Sequence, residues 1–205
     1  MAFLKFFHRS IRKHYPAQAE ILIEQLKIHY SVLKQEVAFS KSSTNPVDRR
    51  LDFTACFLAL VLLLENKGES FIQIREICLE ITKEYIRPKN KLQAWMKRQP
   101  ARIIDTLPGR VIIRFMQKKT QALGHPDGFL VKVITDPAET FGLGYGIDIL
   151  ECGICKQFQK HGMQRYATIL CEVDELTSSL AGLEIIRSNT IANGAKKCDF
   201  RWKRL

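Results

Sequence analysis

The stretch ECGICKQFQKHG, residues 151–162, sets Cys152 and Cys155 three residues apart where an alternating pattern gives way to a helical one. A thiol there has three chemistries open to it: zinc ligation, disulfide exchange, or attack on an electrophile as a thiolate. Further on, Cys171 and Asp174 stand three apart in CEVD, and Arg187 and Thr190 in RSNT. Cys198, Asp199 and Arg201 follow in KKCDFRW, with Gly194 in the turn between. Four of the six cysteines thus lie beyond residue 150, and their chemistry decides the function.

Zinc fits the spacing poorly. The late cysteines run C-x2-C-x15-C-x26-C, so one knuckle is present and the second CxxC of a four-cysteine site is missing. His161 could supplement it, but a lone histidine at a helix end is more often a surface residue. A thioredoxin-like pair belongs after the first strand of a βαβ unit, and the surroundings here read as antiparallel.

A nucleophile fits better. Free N–H groups at a helix start stabilise a thiolate, which suits Cys152. Such a thiol needs a partner that moves protons, and Asp174 and Asp199 are the carboxylates on hand. Against this stand two plainer readings: Asp174 on a solvated helix face, and Asp199 in an ion pair with Arg187 or Arg201. Helical spacing puts Cys171 and Asp174 on one face. The set expected around one pocket is Cys152, Asp174, Arg187, Cys198 and Asp199. Strand alternation, however, puts Cys198 and Phe200 on one side and Asp199 and Arg201 on the other. A regular strand cannot aim both Cys198 and Asp199 inward, so Cys198 is expected to face the pocket while Asp199 fixes Arg187 or Arg201.

The elements that must position these residues fall into two halves. Residues 1–124 read as helices. Residues 19–39 carry Ile21, Ile23, Leu26, Ile28, Val32, Leu33 and Val37 close to a 3.6 period, and Leu4, Phe7 and Ile11 point inward from a first amphipathic helix. SKSSTNPVD, 40–48, is a polar loop whose Pro46 and Asp48 can open the next helix. Cys56 and Cys78 sit among apolar neighbours as small core residues. From residue 125 the period changes. Strands are expected at 129–134, 144–151, 183–188 and 197–202, with two short helices between the second and third. The expectation is one α+β domain over 1–205, its helical part covering a C-terminal β-β-α-α-β-β antiparallel sheet.

Composition narrows the partners. The chain of 205 residues carries a net charge of +11, with 46% hydrophobic and 26% charged residues, ordinary for a soluble fold. The longest apolar run, 54–64, is too short to cross a bilayer as a helix. The basic start lacks the apolar region of a secretory signal, and six cysteines without one argue against a disulfide framework. A cytoplasmic protein is expected. Between Lys83 and Lys119 eleven Lys and Arg face two acids, Glu84 and Asp105. No nucleic-acid-binding pattern surrounds them, so this reads as a solvated face that attracts small anions, with neither nucleic acid nor membrane as partner. A homo-oligomer is compatible with the sequence.

The tail resembles a known family. Cys152, then Cys171-Glu-Val-Asp174, then the ending from Leu183 through Arg187, Thr190, Gly194 and Cys198-Asp199-Phe200-Arg201-Trp202, is similar to the L-2-amino-thiazoline-4-carboxylic acid hydrolases. Members show a cysteine before a short helix, then C-x-x-D, then R-T-x-T-x-x-x-G-x-x-x-C-D-F-R followed by Tyr or Phe. The likeness covers roughly residues 145–202. Cys155 falls where members often carry a small residue, which makes the CxxC incidental. Ser188 and Asn189 depart from the pattern beside the expected pocket, so the substrate can differ from the namesake.

The resemblance implies a hydrolase of the class acting on non-peptide C–N bonds, which opens a small cyclic amidine at C2, by breaking either C–N or C–S, to a carbamoyl-cysteine. It implies Cys152, Cys171, Asp174 and Cys198 as catalytic, and Arg187, Thr190, Asp199 and Arg201 as binding a small anionic substrate. Either a cysteine thiolate attacks C2 or an aspartate activates water. No cofactor is implied, and a metal ion stays compatible with the set. The alternative is a small-molecule-binding or sensor module whose Cys/Asp set is structural.

Overall fold

The computed structural model describes residues 3–121 and 124–205. Six α-helices come first: α1 (Leu4–His14), α2 (Ala19–Glu36), α3 (Leu51–Asn66), α4 (Phe71–Ile86), α5 (Lys91–Ile103) and α6 (Leu107–Thr120). Strands β1 (Leu130–Ile134) and β2 (Gly146–Glu151) follow. Helices α7 (Gly153–Lys160) and α8 (Ala167–Leu180) then lead to β3 (Leu183–Ile186) and β4 (Cys198–Arg204). The sheet order is β1-β2-β4-β3, and every pairing is antiparallel. The fold is α+β, as the change of period at residue 125 predicts. None of the described helices is long and apolar enough to cross a membrane.

Helix α3 is the hub. Its middle, Ala55 through Leu64, is apolar on all sides, and Ala55 through Leu60 are at most 1% exposed, as a helix surrounded by protein must be. Cys56 and Cys78 are buried there and on α4. One apolar cluster runs from Phe7 and Ile11 of α1 through α3 to Val131, Ile149, Cys198 and Phe200 of the sheet.

One expectation needs correction. In α2 the buried residues are Ala19, Leu22, Ile23, Leu26, Tyr30 and Leu33, whereas Ile21, Ile28 and Val32 face outward. The apolar residues form two adjoining stripes, and packing against α3 selects one. Helix α5, which has no clear apolar period in its sequence, is capped by Asn90, whose side chain accepts from the Gln93 amide at 2.8 Å.

The polar loop at 42–50 ties the halves together. Asn45 and Asp48 are fully buried. Asn45 Nδ2 donates to the Phe129 carbonyl at 2.8 Å, and Asp48 Oδ1 accepts from the Phe129 amide at 2.8 Å, just before β1. Asn45 caps a short 3-10 helix, Pro46–Arg50, accepting from the Val47 amide at 3.0 Å. That turn delivers Arg50 to the sheet side of the molecule at the start of α3.

Candidate active site

Cys152 stands at the hinge between β2 and α7. Its backbone is still extended, with φ −107° and ψ 108°, while its carbonyl already accepts from the Lys156 amide at 3.0 Å. The next residue must be small: a Cβ on Gly153 would lie 2.9 Å from the Asp127 carbonyl oxygen and 3.1 Å from Leu51. The helix therefore begins pressed against α3 and the loop before β1, and the Cys152 sulfur faces its first amides.

That setting acts on the thiol. Donation by the neighbouring Cys155 thiol pulls the Cys152 pKa below the ordinary thiol value, against the opposing effect of burial. The amides of Cys155 and Ile154 and the Arg50 guanidinium add to the lowering. The other five thiols are pushed up, Cys155 by its donation to Cys152 and the rest first of all by burial. Cys171 is raised to about 12 and Cys198 to about 11, so both are protonated at neutral pH. The CxxC thus biases Cys152 toward its thiolate form and sets Cys155 beside it as the donor.

The remaining members come from three directions. Helix α8 presents Cys171 and Asp174 one turn apart. Strand β4 supplies Cys198, 3% exposed, whose sulfur accepts from the Ile191 amide at 3.2 Å. Arg187 lies just past β3, with its side chain 7% exposed. Its Nη2 donates to Glu175 at 3.1 Å and to the Cys171 carbonyl at 3.3 Å, and its guanidinium lies 4.9 Å from the Phe200 ring centre. Its Nη1 is buried without a hydrogen-bond partner, 3.9 Å from Asp174 Oδ2. Charge coupling links Cys152, Cys171, Cys198, Asp174 and Arg187 into one cluster.

Arg50 completes it and was missed in the sequence. Its Nη2 donates to Asp174 Oδ1 at 2.5 Å, and it faces Cys152 and Cys171. The only signal was its place at the head of a largely apolar helix; its partner lies 124 residues away.

Other expected members do different work. The pairing of β2 with β4 is regular, Ile149 opposite Cys198 and Ile147 opposite Phe200, so no bulge turns Asp199 inward. Asp199 does not hold Arg187 or Arg201. Its Oδ1 accepts from the amides of Ser188 at 3.1 Å and Asn189 at 2.7 Å, and its Oδ2 from Asn189 Nδ2 at 3.2 Å. It pins the loop that follows Arg187. Thr190 caps the turn Ile191–Asn193 by accepting from the Asn193 amide at 3.2 Å, and Gly194, at φ +86°, closes that turn back into β4. Arg201 lies on the opposite sheet face, donating to Asp148 at 3.0 Å and to the carbonyls of Glu139, Ile147 and Phe200. His161 meets Glu36 of α2 at 3.1 Å. Among the described residues, no three His, Cys, Asp or Glu side chains are set to hold a metal ion.

A family model described as L-2-amino-thiazoline-4-carboxylic acid hydrolase matches residues 49–202, which takes in every member of the cluster from Arg50 to Cys198. No curated protein matches the chain, and no solved structure does.

Proposed function

The chain belongs to the L-2-amino-thiazoline-4-carboxylic acid hydrolase family, and from that premise we propose that it opens a 2-amino-thiazoline or related cyclic amidine with Cys152 as the nucleophile. The observation that carries this is the contrast among six thiols: Cys152 alone is held toward its thiolate form.

In this reaction the Cys152 thiolate attacks C2, the carbon bonded to two nitrogens and sulfur. A bond from C2 to the Cys152 sulfur forms, and the ring opens as C2–S breaks. A thiol, with pKa about 8.5, leaves more easily than an amine of about 10. The departing thiolate takes the proton of Cys155. Water then adds to C2, one of its protons going to the ring nitrogen and the other returning to Cys155. The bond to Cys152 breaks, and the carbamoyl product departs. Opening at C2–N instead would give the S-carbamoyl isomer, which lacks a free thiol and is told apart by a thiol reagent.

Charge at the site serves the same steps. The buried Nη1 of Arg187 has a donor to spare for a substrate carboxylate or a developing anion. Arg50 stabilises the thiolate before attack, and Asp174, between the two guanidinium groups, can accept a hydrogen bond from the amino group on C2. Cys171 and Cys198, protonated at neutral pH, are donors lining the site rather than competing nucleophiles.

The test is turnover of L-2-amino-thiazoline-4-carboxylate, followed as carbamoyl-cysteine by mass spectrometry. Cys152→Ser should cost on the order of 10²-fold or more in kcat, and Cys198→Ser far less. No product from the wild-type protein, or full activity in Cys152→Ser, overturns the proposal.

A further inference from the structure

An apolar groove runs from the cluster to the outer surface of α6. Its inner part, about 310 Å³, is lined by Arg50, Asp174, Ile149, Ile185 and Phe200 among others. Its outer part, about 520 Å³, lies between α6, the end of α5 and the sheet, against Ile103, Ile112, Ile113 and Leu183. Both parts share Met116, Ile147, Thr177, Ser178 and Trp202, so they adjoin along one common wall. The polar groups on the shared wall are already engaged. Thr177 donates to the carbonyls of Val173 and Asp174, and Ser178 accepts from Trp202 Nε1 at 3.0 Å.

Size separates head from tail. A ring substrate of about nine non-hydrogen atoms, each taking no more than a water's roughly 30 Å³ share, needs at most about 270 Å³. The inner part alone can hold it. The outer part, lined almost wholly by apolar side chains with Tyr145 among them, has the volume of a pocket for a drug-sized ligand, roughly 300–1,000 Å³. The charge pattern agrees: the Arg50 guanidinium and the Asp174 carboxylate stand at the inner end.

We propose that the substrate is an amphiphile, with a compact polar head at the Arg50–Asp174 end and a hydrocarbon substituent lying in the outer groove. The identity of the head rests on the hydrolase reading above; the tail rests on the groove. A methylene moved from water into that groove should tighten binding about fourfold.

The test uses hexanoate, octanoate and decanoate, below their micellar concentrations, titrated calorimetrically into the full chain. Affinity should rise about fourfold per added methylene. Ile112→Lys or Ile103→Lys should remove that dependence; both positions are part-exposed, so a lysine is tolerated and circular dichroism should show the fold retained. Ile21→Lys, on the outward stripe of α2, should leave it unchanged. A flat series, or a rise that survives both groove variants, overturns the proposal even where the plain ring is turned over. A rise lost in those variants supports it even where that ring is left untouched. A concentration-dependent dimer that Ile112→Lys dissociates, with no chain-length dependence, would give the groove to a second copy and overturn it as well.

Discussion

Replacing Asp199 with Ala removes the acceptor of three hydrogen bonds, at 3.1, 2.7 and 3.2 Å, that hold residues 188 and 189 beside β4. Bonds to a buried charged group contribute roughly 1.5–3 kcal/mol each. These three lie near the surface, where water takes over the freed amides, so the whole substitution should cost about 1–2 kcal/mol. For a chain of this size that lowers the melting temperature by roughly 2–8 °C. The pH dependence is the sharper reading. Burial raises the Asp199 pKa, but the amide and side chain of Asn189, with the amide of Ser188, hold it below the ordinary carboxylate range. Its stabilisation is therefore complete above the unfolded value, about 3.9, and is lost as pH falls through the lower folded value. Urea titrations should give the full gap between wild type and Asp199→Ala at pH 7 and pH 5, closing as pH drops below about 4. An unchanged gap at pH 3, or equal stability at pH 7, would refute the reasoning.

Three other outcomes follow from the same geometry. Arg50→Met should raise the Cys152 pKa, moving the acid limb of the pH profile of kcat/KM upward, because the guanidinium helps hold the thiolate; an unmoved limb counts against that coupling. Cys56→Ala should cost about 1 kcal/mol in chemical denaturation by thinning the α3 core while sparing turnover; lost turnover in a folded variant would contradict the assignment. Asp48→Ala strands the buried Phe129 amide and should cost about 1–3 kcal/mol by the same assay, with a stability equal to wild type as the contrary result.

Much of the fold could be read from local pattern. The apolar run at 54–64 is the buried α3, and β-branched alternation after residue 128 marks strands that pair antiparallel in the structure. What failed was information carried by tertiary partners. Two apolar stripes on α2 look alike until α3 covers one. Helix α5 hid behind Pro100 and a dense run of cations. Within the site, helical spacing correctly put Cys171 and Asp174 on one face, and strand alternation correctly separated Cys198 from Asp199. The partners of Asp199 are largely backbone amides, which leave no trace in side-chain spacing. Arg50 needed a contact across most of the chain to be noticed at all.

The proposed reaction passes through a covalent bond between Cys152 and the C2 carbon of the substrate. Rapid quenching of wild-type protein with L-2-amino-thiazoline-4-carboxylate, followed by intact-mass and peptide analysis, tests it directly. The predicted result is protein heavier by one whole substrate, the added mass on the peptide bearing Cys152 and missing in Cys152→Ser. An adduct on Cys171 or Cys198, or Cys152→Ser turning over at the wild-type rate without any adduct, would contradict it and leave Asp174 to activate water.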